Sequence, residues 1–289
     1  MRPAGCESTP PPPLNPDLES CAQFESAYTD QANIGFEIEI DPRLLFNADY
    51  LYARGRNIMN SRNINPSINK NPRPNPAFSD IFVDSASGNT WYNGVTVGLQ
   101  TRTGGPFEMS AFYTYADAED DYVDWLTLMQ LQDPLNPQDE RGQSIHVPKH
   151  RATLTAMYRT GGGLPWYARD WTAATIATFE AGRPFNILEG WDRNGNGDRF
   201  SDRPEGVARN SGQLPNLFNV DLRIARTVPI GPVALEATFE VFNLLNRENV
   251  VQVDDTRTAG PAHDPNPNFG EPLIVVAPRR IQFGLRASF

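Results

Sequence analysis

Apolar and polar residues alternate strictly along the last ten residues of the chain. The apolar positions are Ile281, Phe283, Leu285, Ala287 and Phe289, and Gln282, Gly284, Arg286 and Ser288 lie between them. A period of two is typical of a β-strand with one apolar and one polar face. About ten residues is also the length that a tilted strand needs to cross a bilayer. The pattern therefore predicts a membrane-spanning strand, provided that it recurs upstream.

The same alternation recurs in eight further segments, which come in pairs. They are residues 34–40, 44–52, 95–99, 107–115, 152–158, 171–179, 218–224 and 233–241. The connections between them alternate between short turns and long irregular segments, the latter at residues 54–90, 117–148, 182–215 and 243–278. Tight periplasmic turns and long external loops produce this alternation in transmembrane barrels. We therefore predict an all-β protein, an antiparallel up-and-down transmembrane β-barrel portion of about nine strands.

Charged residues occupy the polar positions of these segments, where they would face a wet lumen at little cost. They are Glu37, Glu39, Asp49, Glu108, Arg151, Asp221, Arg223, Glu236, Glu240 and Arg286. Aromatic residues are expected towards strand ends, where aromatic girdles form; they are Tyr50, Tyr52, Tyr113, Tyr115, Trp171 and Phe289. Both distributions favour a barrel wall over a soluble β core.

Composition excludes several classes of protein. The net charge of the 289 residues is -10, and a nucleic-acid partner would require clustered Lys and Arg instead. Mean hydropathy is -0.48, and the sequence has no run of about eighteen apolar residues that could form a transmembrane helix. Barrel strands place apolar residues only at alternate positions, so this average is compatible with a membrane location.

The first 28 residues differ from the rest of the sequence. They are rich in proline and contain both cysteines, Cys6 and Cys21, which either form a loop disulfide or remain free. No apolar signal-peptide segment is present. Counting back nine strands from a periplasmic C-terminus places residue 28 on the external side. We therefore expect residues 1–28 to be the remnant of an external loop and residues 29–289 to be the C-terminal part of a larger barrel.

Several motifs, in a fixed order, carry a family resemblance. They are WYNGVTV at 91–97, SAFYTYA at 110–116, EAGRPFN at 180–186, DRNGNGD at 192–198 with DRP at 202–204, FEVFNLLN at 239–246 and PRRIQFGL at 278–285. This succession resembles the C-terminal half of the barrel in TonB-dependent outer-membrane receptors. It is most similar to the Oar-like group, which carries an N-terminal carboxypeptidase-regulatory-like domain.

The resemblance implies an outer-membrane receptor with a plugged barrel of about twenty-two strands. Such receptors import a scarce ligand, for example a metal chelate or a glycan, with energy passed through the TonB system. The expected partners are therefore outer-membrane lipid, the TonB system acting through a missing N-terminal part, and an unknown small-molecule or glycan ligand. Without that plug and the upstream strands we expect no transport. The alternative is a soluble or surface all-β module that binds carbohydrate or acts as an adhesin.

One loop carries oxygen side chains at alternate positions, as in a calcium-binding loop of the EF-hand type. The candidate ligands are Asp192, Asn194, Asn196, Asp198 and Asp202. Arg203 stands at the twelfth position, where an EF-hand requires a bidentate Glu. Two interpretations remain: an incomplete calcium site completed by Asp202 or another loop, and an Asx-rich turn that stiffens an external loop. The sequence favours the second.

No other group of residues suggests a reaction. The acidic cluster Asp117, Glu119, Asp120, Asp121 and Asp124 follows a strand end and is typical of a solvated face. His146, His150 and His263 have no metal-ligand spacing, and no serine lies in a nucleophile elbow. We therefore predict that the protein is not an enzyme and has no cofactor other than calcium, if the loop binds it.

Overall fold

Nine long strands form one antiparallel sheet in the computed structural model, which describes residues 25–101, 104–122, 131–259 and 262–289. They are β1 (Tyr28–Asp41), β2 (Leu44–Asn63), β3 (Phe82–Thr101), β4 (Phe107–Asp120), β5 (His150–Arg159), β6 (Trp171–Glu180), β7 (Leu217–Ile230), β8 (Val233–Phe242) and β9 (Arg280–Ser288). Each strand pairs with its sequence neighbours, so the sheet is an up-and-down meander. The predicted nine strands and their antiparallel order are confirmed.

The register places apolar and polar residues on opposite faces of the sheet. One row across the strands is Ile38, Phe46, Leu99, Ala111, Leu154, Ala177 and Val220. The adjacent row is Glu37, Asn47, Gly98, Phe112, Thr153, Thr178 and Asn219. Successive residues of a strand point to opposite faces, so the two rows line different faces. The first face is a continuous apolar band, as a lipid-facing wall requires.

Ion pairs span the polar face between neighbouring strands. Arg223 of β7 contacts Glu236 and Glu240 of β8 at 2.8 and 3.3 Å. Arg159 of β5 contacts Glu108 of β4 at 2.9 Å. These pairs are partly exposed and contribute little stability each, but they show that the predicted charged positions share one face.

The connections alternate in length as predicted. Residues 42–43, 102–106, 160–170 and 231–232 connect strands at one end, and residues 64–81, 121–149, 181–216 and 243–279 at the other. Three short pairings lie within the long connections: Pro184–Phe185 with Gly212–Gln213, Val250–Val253 with Pro272–Val275, and Thr258–Ala259 with Asp264–Pro265. Gly142–Gln143 extends the main sheet beside β4, and Pro137–Glu140 forms a 3-10 helix. Within the described ranges, no helix is long and apolar enough to cross a membrane.

The strands are longer than the sequence predicted. β2 and β3 continue through much of residues 54–90, which we expected to be irregular. Their register shifts between Gly55 and Ile58, where Asn57 has a φ of 57°. Such a bulge reverses the apolar alternation, so the sequence pattern fades there. Consequently Tyr50 and Tyr52 lie at mid-strand rather than near a strand end.

Two other strand ends also differ from the expectation. β4 includes residues 117–120, which we placed in a loop, and β7 includes Pro229 and Ile230, which we placed in a turn. Both extensions lack a clear apolar alternation, so the hydrophobic pattern did not indicate them. The extension of β4 places Tyr113 and Tyr115 at mid-strand as well, rather than near a strand end.

The tightly packed part of the structure lies at the long-loop end. The most deeply buried large side chains are Leu131, Asn60, Asn63, Asn65, Asn249, Asp202, Pro66 and Pro134. Most of them are polar or proline, whereas the apolar face remains open, with Ile34 73% and Phe283 77% exposed. The sheet is held by its backbone ladder and the long loops by side-chain hydrogen bonds.

Candidate ligand-binding site in the long loops

The long loops pack together into one unit, which we call the cap (described residues 64–81, 131–149, 181–216, 243–259 and 262–279). The N–H of Asn69 donates to the carbonyl of Asn194 at 2.6 Å, and the side-chain amide of Asn194 donates to the carbonyl of Gln132 at 2.6 Å. The N–H of Leu188 donates to the carbonyl of Asp255 at 2.9 Å. The other three loops are therefore all tied to the third one, residues 181–216.

Two arginines fix the cap to the sheet and to itself. Arg209 donates to the Asp120 carboxylate at 2.6 Å and to the carbonyls of Asp120, Tyr122 and Glu140 at 2.9, 3.0 and 3.1 Å. Arg203 makes a bidentate ion pair with Glu140 at 2.8 and 3.1 Å. Both pairs are nearly buried, with side-chain exposures of 12% or less. Bidentate guanidinium pairs of this kind fix the geometry of the groups they join.

Residues 192–203, which we call the Asp192 loop, form a series of Asx turns. Asp192 accepts N–H groups from Gly195, Asn196 and Gly197 at 2.7, 3.0 and 2.9 Å. The same pattern continues along the loop: the side-chain oxygens of Asn194, Asn196 and Asp198 accept the N–H groups of Asn196, Asp198 and Phe200 at 2.9, 2.7 and 2.9 Å. Gly195 and Gly197 have φ values of 77° and 91°, which glycine adopts without strain. The predicted Asx-rich turn is present.

Asp202 closes the Asp192 loop from behind and is fully buried. Its Oδ2 accepts the N–H groups of Arg193 and Asn194 at 2.6 and 3.3 Å, whereas its Oδ1 has no hydrogen-bond partner. Burial raises the pKa of Asp202 above its usual range, and the nearby carboxylates of Asp192 and Asp198 act in the same direction. Asp202 therefore lies close enough to Asp192 and Asp198 for their charges to act on its carboxyl.

Other buried polar atoms of the loop also lack partners. They are Asp198 Oδ2, Asn196 Nδ2 and Ser201 Oγ. In the part of the chain that the structure describes, no Lys, Arg or His forms an ion pair with Asp192, Asp198 or Asp202. Nor do three Asp, Glu, His or Cys side chains there already converge as a metal-binding group. The structure thus brings the five predicted residues into one loop.

Three cavities adjoin the Asp192 loop. The first, of about 340 Å³, is lined by Arg183, Phe185, Phe200, Arg209, Val251 and Asp255 among others. The second, of about 640 Å³, lies beside Asp192, Asp198 and His263. The third, of about 390 Å³, lies beside Asn194, Arg203 and Gln132. The first cavity combines charged groups of both signs with aromatic and aliphatic groups, as sites for small ligands do.

The sequence did not reveal the lining of this first cavity. Arg183 lies within the EAGRPFN motif, but no spacing connects it with Arg209 or Val251. Asp255 also lines the cavity, and burial raises the pKa of its carboxyl. Only the packing of separate loops brings these residues together, so a sequence pattern could not have identified them.

The acidic cluster at the end of β4 is engaged in structural contacts. Glu119 accepts from Arg141 at 2.8 Å, Asp120 accepts from Arg209, and Asp121 accepts the N–H of Asn89 at 2.6 Å. Asp124 lies outside the described residues, as do Cys6, Cys21 and most of the proline-rich segment. These contacts account for Glu119, Asp120 and Asp121 as structural groups.

The three histidines lie apart from one another. His150 is hydrogen-bonded to the Tyr113 hydroxyl at 2.7 Å, and its ring lies 5.3 Å from that of Tyr115. His263 lies against Trp191, with 4.5 Å between ring centroids. His146 lines the 340 Å³ cavity. Their separation agrees with the absence of ligand spacing in the sequence.

Comparison with known proteins provides a family and a fold. Residues 3–214 match the family model described as the outer membrane beta barrel domain. No match is found among curated protein sequences. Solved structures with the same fold include the pyoverdine receptor FpvA of Pseudomonas aeruginosa (15% identity, TM-score 0.57, 92% of this chain and 30% of that one). They also include the ferric-catecholate import receptor Fiu of Escherichia coli (14% identity, TM-score 0.53, 91% and 28%).

The ferric preacinetobactin receptor BauA of Acinetobacter baumannii is a further structure with this fold, at 16% identity and a TM-score of 0.52 over 90% of this chain and 29% of that one. Sequence identities at this level indicate a shared fold only. The chain spans less than a third of the length of these receptors.

Proposed function

The chain belongs to the outer membrane beta barrel domain family and is therefore a protein of the cell outer membrane, and from this premise we propose that it forms the wall and ligand-binding loops of a TonB-dependent receptor. The ligand class is a scarce nutrient, either a metal chelate or a glycan. Ligand binding as part of a transport receptor, rather than catalysis, is the proposed role, and we expect no transport without a plug and further strands. The soluble version of the carbohydrate-binding alternative does not fit an outer-membrane family.

One observation carries the proposal: the 340 Å³ cavity lies in the cap, at the long-loop end of a lipid-facing wall. Arg183 is half exposed there, and its only described ion pair is with Glu180 at 3.1 Å. Arg209 supplies a second positive charge, although its described hydrogen bonds go to Asp120, Tyr122 and Glu140. Asp120 and Glu140 also line the cavity, but they pair with Arg209 and Arg203. Arg183 is therefore the cation left to attract an anionic chelate, and the aromatic rings of the lining can stack on that chelate. The structural neighbours named for pyoverdine and ferric catecholate are consistent with this class.

We also propose that residues 29–289 are the C-terminal part of a larger barrel and residues 1–28 a loop that precedes it. The described strands support this, because β1 and β9 stand at opposite ends of the sheet order and do not pair with each other. A barrel wall in lipid must pair every edge. The Oar-like group is the subgroup that we propose, on the order of the sequence motifs. Sequencing the genomic DNA upstream of the Met1 codon tests both points, since an open frame encoding a plug and further strands is expected.

A fluorescence titration tests the ligand class. The folded chain in detergent is titrated with a ferric tris-catecholate, and quenching of its tryptophans measures binding. We expect saturable quenching, and we expect Arg183→Ala to weaken it by about tenfold, since one charge-assisted hydrogen bond is lost. Arg159→Ala is the matched control, because Arg159 lies on the polar face at the short-turn end.

The outcomes separate the ligand classes. Saturation by neutral oligosaccharides but not by the ferric chelate would assign a glycan to the same cavity. An absence of binding by either probe to the folded chain would refute a ligand-binding cap.

A further inference from the structure

We propose that the Asp192 loop binds one calcium ion through the side-chain oxygens of Asp192, Asn194, Asn196, Asp198 and Asp202. The observation that points to an ion is the fully buried Asp202, whose Oδ1 has no hydrogen-bond partner, together with the unpartnered Oδ2 of Asp198, which is 9% exposed. Native structures leave few buried oxygens of this kind without a partner. A cation among them would satisfy both.

The charge of the loop supports the same conclusion. Asp192, Asp198 and Asp202 place three carboxylates in one loop, and the arginines of the same loop have contacts elsewhere. Arg203 is paired with Glu140, Arg193 contacts Glu205 at 2.7 Å, and Arg199 lies over the Phe200 ring. Burying carboxylates without a counter-charge is costly. A divalent ion offsets that cost, whereas an Asx-rich turn alone does not require three acids.

The donor set selects calcium among common metal ions. All five side chains offer oxygen, and none offers sulfur or imidazole, so the set suits a hard cation. Five side-chain donors in a glycine-containing turn also suit the flexible six- to eight-fold coordination of Ca²⁺ better than the rigid octahedron of Mg²⁺. The adjoining 640 Å³ cavity has room for water to complete the shell.

The loop differs from an EF-hand in how it is closed. Gly197 at the sixth position has the positive φ that the turn requires, but Arg203 at the twelfth points to Glu140 instead of the ion. Asp202, one residue earlier, takes over the closing carboxylate. This arrangement would couple calcium binding to the cap, because Arg203 directly follows the last ligand, Asp202, and pairs with Glu140 in the loop before β5.

Terbium luminescence tests the site with the full chain folded in detergent. Tb³⁺ is a hard oxygen-seeking ion, and Trp191, which lines the 640 Å³ cavity beside Asp192 and Asp198, is placed to sensitise its emission. We expect emission that Ca²⁺ displaces and Mg²⁺ displaces only at much higher concentration. We expect Asp202→Asn and Asp198→Asn each to weaken Ca²⁺ competition by at least about tenfold, since ligand charge sets the affinity. Glu205→Gln, in the same cap but 87% exposed, is expected to leave it unchanged.

Calorimetry with CaCl₂ provides a second measurement that does not depend on tryptophan. The proposal is overturned if the folded chain binds no Ca²⁺, or if binding survives the combined Asp192→Asn, Asp198→Asn and Asp202→Asn change with the β-sheet circular dichroism intact. It is also overturned if Mg²⁺ displaces Tb³⁺ at the same concentration as Ca²⁺ does. Should Asp202→Asn fail to fold, Asp198→Asn alone decides. None of these results depends on whether the cap binds a chelate.

Discussion

The buried pair between Glu140 and Arg203 provides the sharpest test of how the cap is held together. Replacing Glu140 by Gln leaves Arg203 charged, with its side chain 9% exposed and its Nε already without a partner. The amide nitrogen that replaces one carboxylate oxygen is a donor, and it would face the Arg203 guanidinium, which also has only donors. Removing one member of a buried pair costs about 3–5 kcal/mol. The loops before β5 and before β7 should therefore open far more often.

Hydrogen–deuterium exchange measures this opening directly. Each 1.4 kcal/mol is about a tenfold change in an opening equilibrium, so amides of residues 131–149 and 181–216 should exchange about 100-fold to several thousand-fold faster in Glu140→Gln. Strand amides of β5 and β6 should not change. The matched control is Glu205→Gln, since the Arg193–Glu205 pair lies in the same loop but is exposed at Glu205, and little change is expected there.

A double variant separates the effect of losing the ion pair from the effect of leaving Arg203 charged and unpaired. Replacing both Glu140 and Arg203 by Met removes both charges, and such replacements are often neutral or stabilising. We expect the double variant to regain most of the protection that Glu140→Gln loses. If Glu140→Gln exchanges no faster than Glu205→Gln, the pair does not hold the cap, and the reasoning is wrong.

Three further predictions concern the wall and the pH dependence of the cap. Leu154→Arg, on the apolar face, should destabilise the chain folded in lipid vesicles by about 2–4 kcal/mol in urea titrations, whereas Thr153→Arg on the polar face should not; equal costs would contradict the assigned faces. Gly98→Ala should cost about 1–3 kcal/mol, because a Cβ there would meet both the Asn47 side-chain oxygen and, within 2.6 Å, the Phe112 ring, and the penalty should largely vanish only in an Asn47→Ala, Phe112→Ala background. Burial raises the pKa of the Asp255 carboxyl, so the stability that Asp255 contributes to the cap is fully present below about pH 4 and is lost as pH rises through the raised pKa. Asp255→Asn should make the protection of cap amides, corrected for intrinsic exchange rates, depend less on pH. An unchanged pH dependence would exclude Asp255 as its source.

The sequence predicted the wall because a sheet with one lipid-facing side repeats an apolar residue at every second position. Leu154 and Ala177 could be assigned to that face before their partners were known. The prediction failed where this constraint ends. Beyond the bulge at Asn57, the residues of β2 and β3 have no lipid to face, and their polar sequence resembles a loop.

The cap could be predicted only in part. The Asx turns of the Asp192 loop are local, since each oxygen accepts an N–H a few residues away, and the motif showed them. The Glu140–Arg203 pair joins residues 63 positions apart, and Arg209 contacts Asp120 over 89 positions. Such contacts depend on how whole loops fold over one another, and no local spacing records them.

The unequal lengths of the strands give this part of the wall a slanted rim. β2 and β3 have 20 residues each, whereas β9 has 9. At about 3.3 Å per residue and a tilt of about 45°, these lengths correspond to heights of roughly 47 Å and 21 Å. Because the short turns share one end, the difference of roughly 26 Å stands above the membrane on the β2–β3 side. At this rim a bulky ligand would therefore contact the extended strands themselves on the β2–β3 side, and the loop of residues 243–279 on the β8–β9 side.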